Sequence, residues 1–109
     1  IDVLKALKKH NPLAITGSCV SIEDTFSMKE DLKNIDIPFG FKINAFKEIP
    51  FGWKPDATNP NDVLGKDTDI SIKKFYDISQ QLVDLGSKII GGCCEITPQH
   101  ISELKRLKC

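Results

Sequence analysis

Short apolar segments alternate with segments of helical spacing along this chain, and this alternation constrains the fold more than any other feature. The apolar segments are residues 13–16, 37–44 and 88–90, and a helix over residues 2–10 precedes the first of them. Strands that alternate with helices are typical of βα units, whose strands run parallel. The sequence therefore predicts an α/β fold with a parallel three-stranded sheet.

The predicted helices carry recognisable start and stop signals. Ser21 is an N-cap, and the apolar residues that follow it recur at helical spacing as far as Leu32. Residues 71–85 have the clearest amphipathic pattern, and Gly86 follows as the C′ residue. Thr97, which a proline follows, begins the last helix. Each strand of the predicted sheet thus leads into a helix.

A long irregular stretch covers residues 45–69, which are rich in proline, glycine and asparagine. Loops of this length in a compact domain are usually either functional or disordered. Because aromatic side chains need somewhere to pack, Phe46, Phe51 and Trp53 predict an ordered loop. Phe51 and Trp53 either line a pocket, since an aromatic face attracts a cation, or simply pin the long loop.

Length and charge exclude several classes of protein. The chain has 109 residues, which suits one small domain, and its 15 basic and 15 acidic side chains give a net charge of zero. A balanced charge does not favour nucleic-acid binding. No apolar run approaches the roughly 18 residues of a membrane span, and no secretory leader is seen. We therefore expect a cytoplasmic protein with reduced cysteines.

Three of the four cysteines stand where strands are predicted to end. Cys19 follows the first strand, and Cys93 and Cys94 follow the third. The carboxyl ends of parallel strands meet at one edge of the sheet, and three protein ligands are typical of catalytic zinc. The alternatives are that the cysteines pack as small apolar residues, or that Cys93 and Cys94 form a vicinal disulfide. Cys109, at the terminus, is not expected to be a ligand.

The sequence around these cysteines resembles the carboxyl-terminal signature of the homocysteine S-methyltransferase family. Residues 91–101 read GGCCEITPQHI, in which Gly-Gly-Cys-Cys is followed by a Thr-Pro turn and a His-Ile helix start. Residues 15–19 read ITGSC and correspond to the segment of the family's first zinc cysteine, and residues 42–45 read KINA, like the family's strand ending in Asn-Ala. The resemblance covers nearly the whole chain.

The resemblance implies a partial (β/α)₈ TIM barrel. Residues 1–109 would form its carboxyl-terminal portion, about the last three βα units of the homocysteine-binding domain. The amino-terminal half of the barrel would be absent, so we expect the isolated fragment to be inactive.

The resemblance also implies the chemistry. Cys19, Cys93 and Cys94 would bind Zn²⁺, with the homocysteine thiolate as a fourth ligand. That sulfur would accept a methyl group from betaine, S-methylmethionine, a related sulfonium or a methyl-folate, which gives methionine. Asn44 would contact substrate or hold the zinc loop; the alternative is a turn residue that bonds its own backbone.

One departure from the family pattern and one rival interpretation remain at this stage. Ser18 stands where the family usually has asparagine, and it offers a hydroxyl in place of an amide. The rival is a non-catalytic α/β interaction module with structural cysteines, which pairs with another chain through its exposed sheet edge. Metal content separates the two. The identity of the methyl donor and the oligomeric state are left open by the sequence.

Overall fold

Helices and strands follow one another in the predicted order. The structure is a computed structural model, and it describes residues 2–46, 50–54, 56, 64–65 and 70–109. Its elements are α1 Asp2–Lys8, β1 Ile15–Val20, α2 Ile22–Ser27, α3 Lys29–Leu32, β2 Phe39–Ile43, α4 Ile72–Asp84, β3 Ile89–Gly92 and α5 Pro98–Glu103, and a 3-10 turn at Leu104–Arg106 follows α5. No helix in these ranges is long and apolar enough to cross a membrane.

The three strands form one sheet in the order β1-β2-β3, and both pairings are parallel. This confirms the predicted α/β class and the three-stranded parallel sheet. In the register of the sheet, Ser18 of β1 lies opposite Lys42 of β2, and Lys42 lies opposite Gly91 of β3. All three carboxyl ends therefore lie at the same edge of the sheet, from which the segments that carry the cysteines continue.

The first strand is displaced from its predicted position. Leu13 is 94% exposed and lies outside β1, which begins at Ile15 and runs through Cys19 to Val20. Pairing decides these limits, because the Ile15 N–H donates to the Pro38 carbonyl at 2.9 Å and β2 accompanies β1 from there onward. The prediction that the strand ends before Cys19 is wrong.

The segment after Ser21 forms two short helices instead of one. Ser21 is an N-cap, as predicted, and its hydroxyl accepts the Asp24 N–H at 3.0 Å. At the end of α2, the Ser27 hydroxyl donates to the Asp24 carbonyl at 2.7 Å and competes with the Met28 N–H, which reaches the same oxygen at 3.3 Å. The chain turns at Met28 before α3 begins.

The core lies between one face of the sheet and the helices that follow β1 and β2. Its centre is Phe75 of α4, which is fully buried. The other buried apolar residues around it are Leu32, Phe39, Phe41, Ile43, Ala45, Ile70, Ile78 and Leu82. Since Phe39, Phe41 and Ile43 alternate along β2, they share the face that the helices cover.

The opposite face of the sheet is open among the residues described. Thr16, Ser18, Lys42 and Ile89 are exposed, and they alternate with the residues that face the core. Gly40 lies on this face, where an added Cβ would come within 2.2 Å of the Ile89 carbonyl oxygen. Glycine therefore permits the close approach of β2 and β3.

The aromatic residues of the long loop differ in how far their side chains are exposed. Phe46 is buried, as expected, and Trp53 is half-buried, but Phe51 is fully exposed at 108%. The expectation that Phe51 packs is therefore wrong. Residues 47–49, 55, 57–63 and 66–69 of the long loop lie outside the described part of the chain, and the interpretation of Phe51 and Trp53 as a pocket wall stays a prediction.

Candidate metal centre

Three thiols converge at the carboxyl edge of the sheet. The Cys19 and Cys94 sulfurs are 3.9 Å apart, and so are those of Cys93 and Cys94. All three sulfurs lie within 4.8 Å of one another, and each residue is half-buried with no disulfide. The order of the strands predicts this convergence, although 74 positions separate Cys19 from Cys93. Cys109 is exposed at the terminus.

Cys19 reaches the cluster through an irregularity in β1. The pairing of β1 with β2 shifts between Ser18 and Val20, which leaves Cys19 in a β-bulge. Its φ of 57° lies in the left-handed region, where a residue with a side chain is strained by about 1–3 kcal/mol. A bulge redirects a side chain from the regular alternation of a strand. This local distortion carries the sulfur toward Cys94.

Cys93 and Cys94 belong to a turn that follows β3. The Cys93 N–H donates to the Ile43 carbonyl at 2.8 Å, and the Cys94 carbonyl accepts the Ala45 N–H at 2.9 Å. Both cysteines are thus tied to the end of β2. Glu95 has a φ of 65°, and the Ile96 N–H returns to the Cys93 carbonyl at 3.2 Å, which closes the turn.

The alternation of a regular strand does not apply to this cysteine pair because β3 ends at Gly92. Both glycines that precede the pair are part of the strand and pair with β2. A Cβ at Gly92 would lie 2.3 Å from the Ile96 side chain. Glycine lets the turn fold back closely over the end of β3.

The spacing of the sulfurs fits a tetrahedral zinc ion. Zinc–sulfur bonds of about 2.3 Å at tetrahedral angles place neighbouring sulfurs about 3.8 Å apart. Two of the three pairs are at 3.9 Å, so a small adjustment of Cys19 relative to Cys93 would bring all three sulfurs to this spacing. Three protein sulfurs would leave one position of a tetrahedral site for another ligand.

Comparison with known families shows to which family the chain belongs. The sequence model of the homocysteine S-methyltransferase family matches residues 1–107. The chain belongs to the homocysteine S-methyltransferase family. No curated protein and no solved structure matches it. The cysteine cluster is therefore a possible metal site in a member of a methyltransferase family.

Asn44 fixes the bulge of this homocysteine S-methyltransferase family member. The side chain is 3% exposed, its Nδ2 donates to the Cys19 carbonyl at 2.9 Å, and its Oδ1 accepts the Phe46 N–H at 3.1 Å. Asn44 thus holds the segment that carries Cys19 and also makes the turn contact two residues on. The substrate contact stays a prediction.

Replacement of Asn44 by Ala should lower the free energy of unfolding by about 1–3 kcal/mol. The change leaves the Cys19 carbonyl and the Phe46 N–H without their partner in a buried site. Urea unfolding measures the loss. The control is Asn34→Ala, which removes a 3.3 Å bond from an exposed side chain to the Glu30 carbonyl. Equal losses in the two variants would contradict the role given to Asn44.

The three thiols differ in how readily they ionise. Burial, hydrogen bonding to Cys93 and Cys94 and their nearby charges together raise the pKa of Cys19 to about 12. Burial also opposes ionisation of Cys93, but hydrogen bonds within the cluster and to the Cys94 backbone, together with the charge of Lys42, hold its pKa below the ordinary value. Cys93 therefore ionises before Cys19.

His100 supports the turn from behind. It is buried, its Nδ1 accepts the Thr97 N–H at 3.1 Å, and its Nε2 lies 2.9 Å from the Ile70 carbonyl. Its ring meets Phe75 edge-on at 5.6 Å. His100 therefore serves both as a capping residue of α5 and as a packing residue of the core. It fixes α5, which begins directly after the cysteine turn.

Sequence reasoning missed Lys42 as a neighbour of the cluster. The residue stands on the open face of β2, two positions before Asn44, and its charge acts on Cys93. Lys42 and Cys93 are neighbours because of the register of β2 against β3, and no local pattern in the sequence indicates that register. The only available signal was the position of a lysine next to the end of a predicted strand.

Proposed function

We propose that this chain provides the metal-binding and thiol-binding part of a zinc-dependent homocysteine S-methyltransferase. The observation that carries the proposal is the cluster of three sulfurs at the carboxyl edge of a parallel sheet, in a member of that family. Carboxyl edges of parallel strands are where α/β enzymes place their reactive groups. Cys19, Cys93 and Cys94 are the proposed ligands.

The proposed architecture is part of a (β/α)₈ barrel, to which residues 1–109 contribute three βα units. Helices cover one face of the sheet and leave the other open within the described ranges, as the inner face of a barrel requires. The outer edges of β1 and β3 have no strand partner among those residues. In a barrel, each of these edges pairs with a further strand.

The proposed reaction joins the sulfur of homocysteine to a methyl carbon. A bound Zn²⁺ lowers the pKa of the substrate thiol, so that the thiol is a thiolate near neutral pH. The sulfur–carbon bond forms as the bond between the methyl group and its donor breaks, and the donor leaves with the bonding electron pair. Betaine, S-methylmethionine, a related sulfonium and a methyl-folate each fit this scheme.

The residues of the chain serve binding and orientation in this scheme. The three cysteines lose their protons as the site forms, and Asn44 holds Cys19 in the bulge at 2.9 Å. The half-burial of all three sulfurs keeps one side of the cluster accessible to a substrate thiol. Asn44 is also the proposed substrate contact, because it borders the cluster. Catalysis then rests largely on positioning.

The test is the coordination of homocysteine to the metal. We load residues 1–109 with Co²⁺, whose visible and near-ultraviolet bands report sulfur ligands, and then add homocysteine. We expect the bands of a three-sulfur site, and a further sulfur-to-metal band on addition of homocysteine. Methionine, whose sulfur is already methylated, is the control and should leave the spectrum unchanged. A protein that binds no metal would favour a non-catalytic module.

Zinc uptake should strengthen steeply as the pH rises. Because the pKa of Cys19 is about 12, its thiol is protonated throughout the range near neutrality, and metal binding must displace that proton. For each proton that metal binding releases, the apparent Kd falls about tenfold when the pH rises by one unit. We therefore expect at least about a tenfold gain in affinity per unit between about pH 6 and 8, measured by competition with a chelator. A flat profile would contradict this assignment.

A further inference from the structure

A single basic side chain on the open face of the sheet lies beside the cysteine cluster. Lys42 is the fourth of the five residues of β2, and it is flanked by Ser18 on one side and Gly91 on the other. Its Cγ lies 3.5 Å from the position that a Cβ on Gly91 would occupy. The lysine stem therefore lies within van der Waals range of position 91, two residues before Cys93.

The ammonium group of Lys42 has no carboxylate partner among the residues that the structure describes. The salt bridges there are Lys8–Asp36, Lys33–Glu30, Lys73–Asp77 and Arg106–Glu103, and none of them involves a residue of the three strands. In the register of the sheet, Lys42 lies beside Ser18, which precedes Cys19, and beside Gly91, which lies two positions before Cys93. Its charge is therefore carried on the strand between the two segments that bear the cysteines.

The charge of the proposed site explains what this cation does. Three thiolates around a divalent ion leave a net charge of −1, and a substrate thiolate as fourth ligand makes it −2. Such a charge in a half-buried site is unfavourable unless a cation lies close by. We propose that Lys42 is an electrostatic positioning residue that stabilises the anionic metal–thiolate cluster. This inference rests on the proposed function, because it requires metal binding by the three cysteines.

The test measures zinc affinity by chelator competition in residues 1–109 and in a charge series at position 42. We expect Lys42→Arg to retain the wild-type affinity, Lys42→Met to lose about fivefold, and Lys42→Glu to lose about twentyfold or more. The losses should shrink at high salt, which screens the charge of an exposed residue. If Lys42 acted only through packing, the Lys42→Met and Lys42→Arg variants would bind zinc with equal affinity.

The matched control is Lys88→Met. Lys88 is also exposed, but it precedes β3 at the opposite end of the sheet from Cys93, so its removal should leave zinc affinity unchanged. Circular dichroism confirms that each variant is folded. Equal affinities for the Arg, Met and Glu variants, with wild-type zinc binding intact, would overturn the role of Lys42 alone. Absence of zinc binding by the wild type would overturn the proposed function and this inference with it.

Discussion

Replacement of Cys93 or Cys94 by Ala should lower the zinc affinity of the chain by about a hundredfold or more. Each variant removes one of the three proposed sulfur ligands, whose mutual distances of 3.9 Å for two pairs match a tetrahedral site. Zinc bound by four ligands releases about 10–16 kcal/mol, so a single ligand carries a share of several kcal/mol. Metal content and competition with a chelator measure the loss.

Cys109→Ser is the matched control for this pair of variants. It also removes a thiol, but the residue is exposed at the terminus and takes no part in the cluster. We expect zinc affinity equal to that of the wild type. Loss of zinc in this variant, or its full retention after both Cys93→Ala and Cys94→Ala, would show that the wrong thiols have been assigned.

Replacement of Phe75 by Ala should lower the free energy of unfolding by about 3–5 kcal/mol. Phe75 is fully buried, packs at the centre of the core and meets the His100 ring at 5.6 Å. The loss combines the transfer of apolar surface to water with the cavity that remains. Since a domain of this size is stable by about 5–15 kcal/mol, the variant should lose between a fifth and all of its stability. Urea denaturation measures the change.

Ile72→Ala is the control for Phe75 because both residues belong to α4. Ile72 is 41% exposed at the start of that helix, so its truncation should cost less than about 1 kcal/mol. Zinc binding should strengthen the folded form of each variant, because the ligand set exists only when the sheet is formed. Similar losses in the two variants would show that the core lies elsewhere.

The order of the elements and the class of the fold could be predicted from the sequence. Local patterns carry this information: apolar segments of strand length, amphipathic helices, the Ser21 cap and the Thr-Pro start of α5. Parallel strands follow from the alternation itself, and from them the meeting of Cys19 with Cys93 and Cys94. The family signature then indicates what such a cluster is for.

The limits of the elements depended on contacts between distant residues. β1 begins at Ile15 and not at Leu13 because the Pro38 carbonyl accepts the Ile15 N–H. The break between α2 and α3 coincides with a hydrogen bond from the Ser27 hydroxyl to the Asp24 carbonyl. Helical spacing of apolar residues does not predict this bond. Apolar periodicity reports which residues face a core, but backbone hydrogen bonds decide where a strand starts and where a helix stops.

Strand order, which local patterns predict, accounts for which thiols meet, whereas hydrogen bonds between the strands account for how they meet. The left-handed backbone of Cys19 is held by Asn44, 25 positions away, and no local preference would place a cysteine there. The proximity of Lys42 to Cys93 likewise follows from the register of β2 against β3. Side-chain spacing along a chain is a local property, whereas register and strain are set by hydrogen bonds between strands that are far apart in sequence.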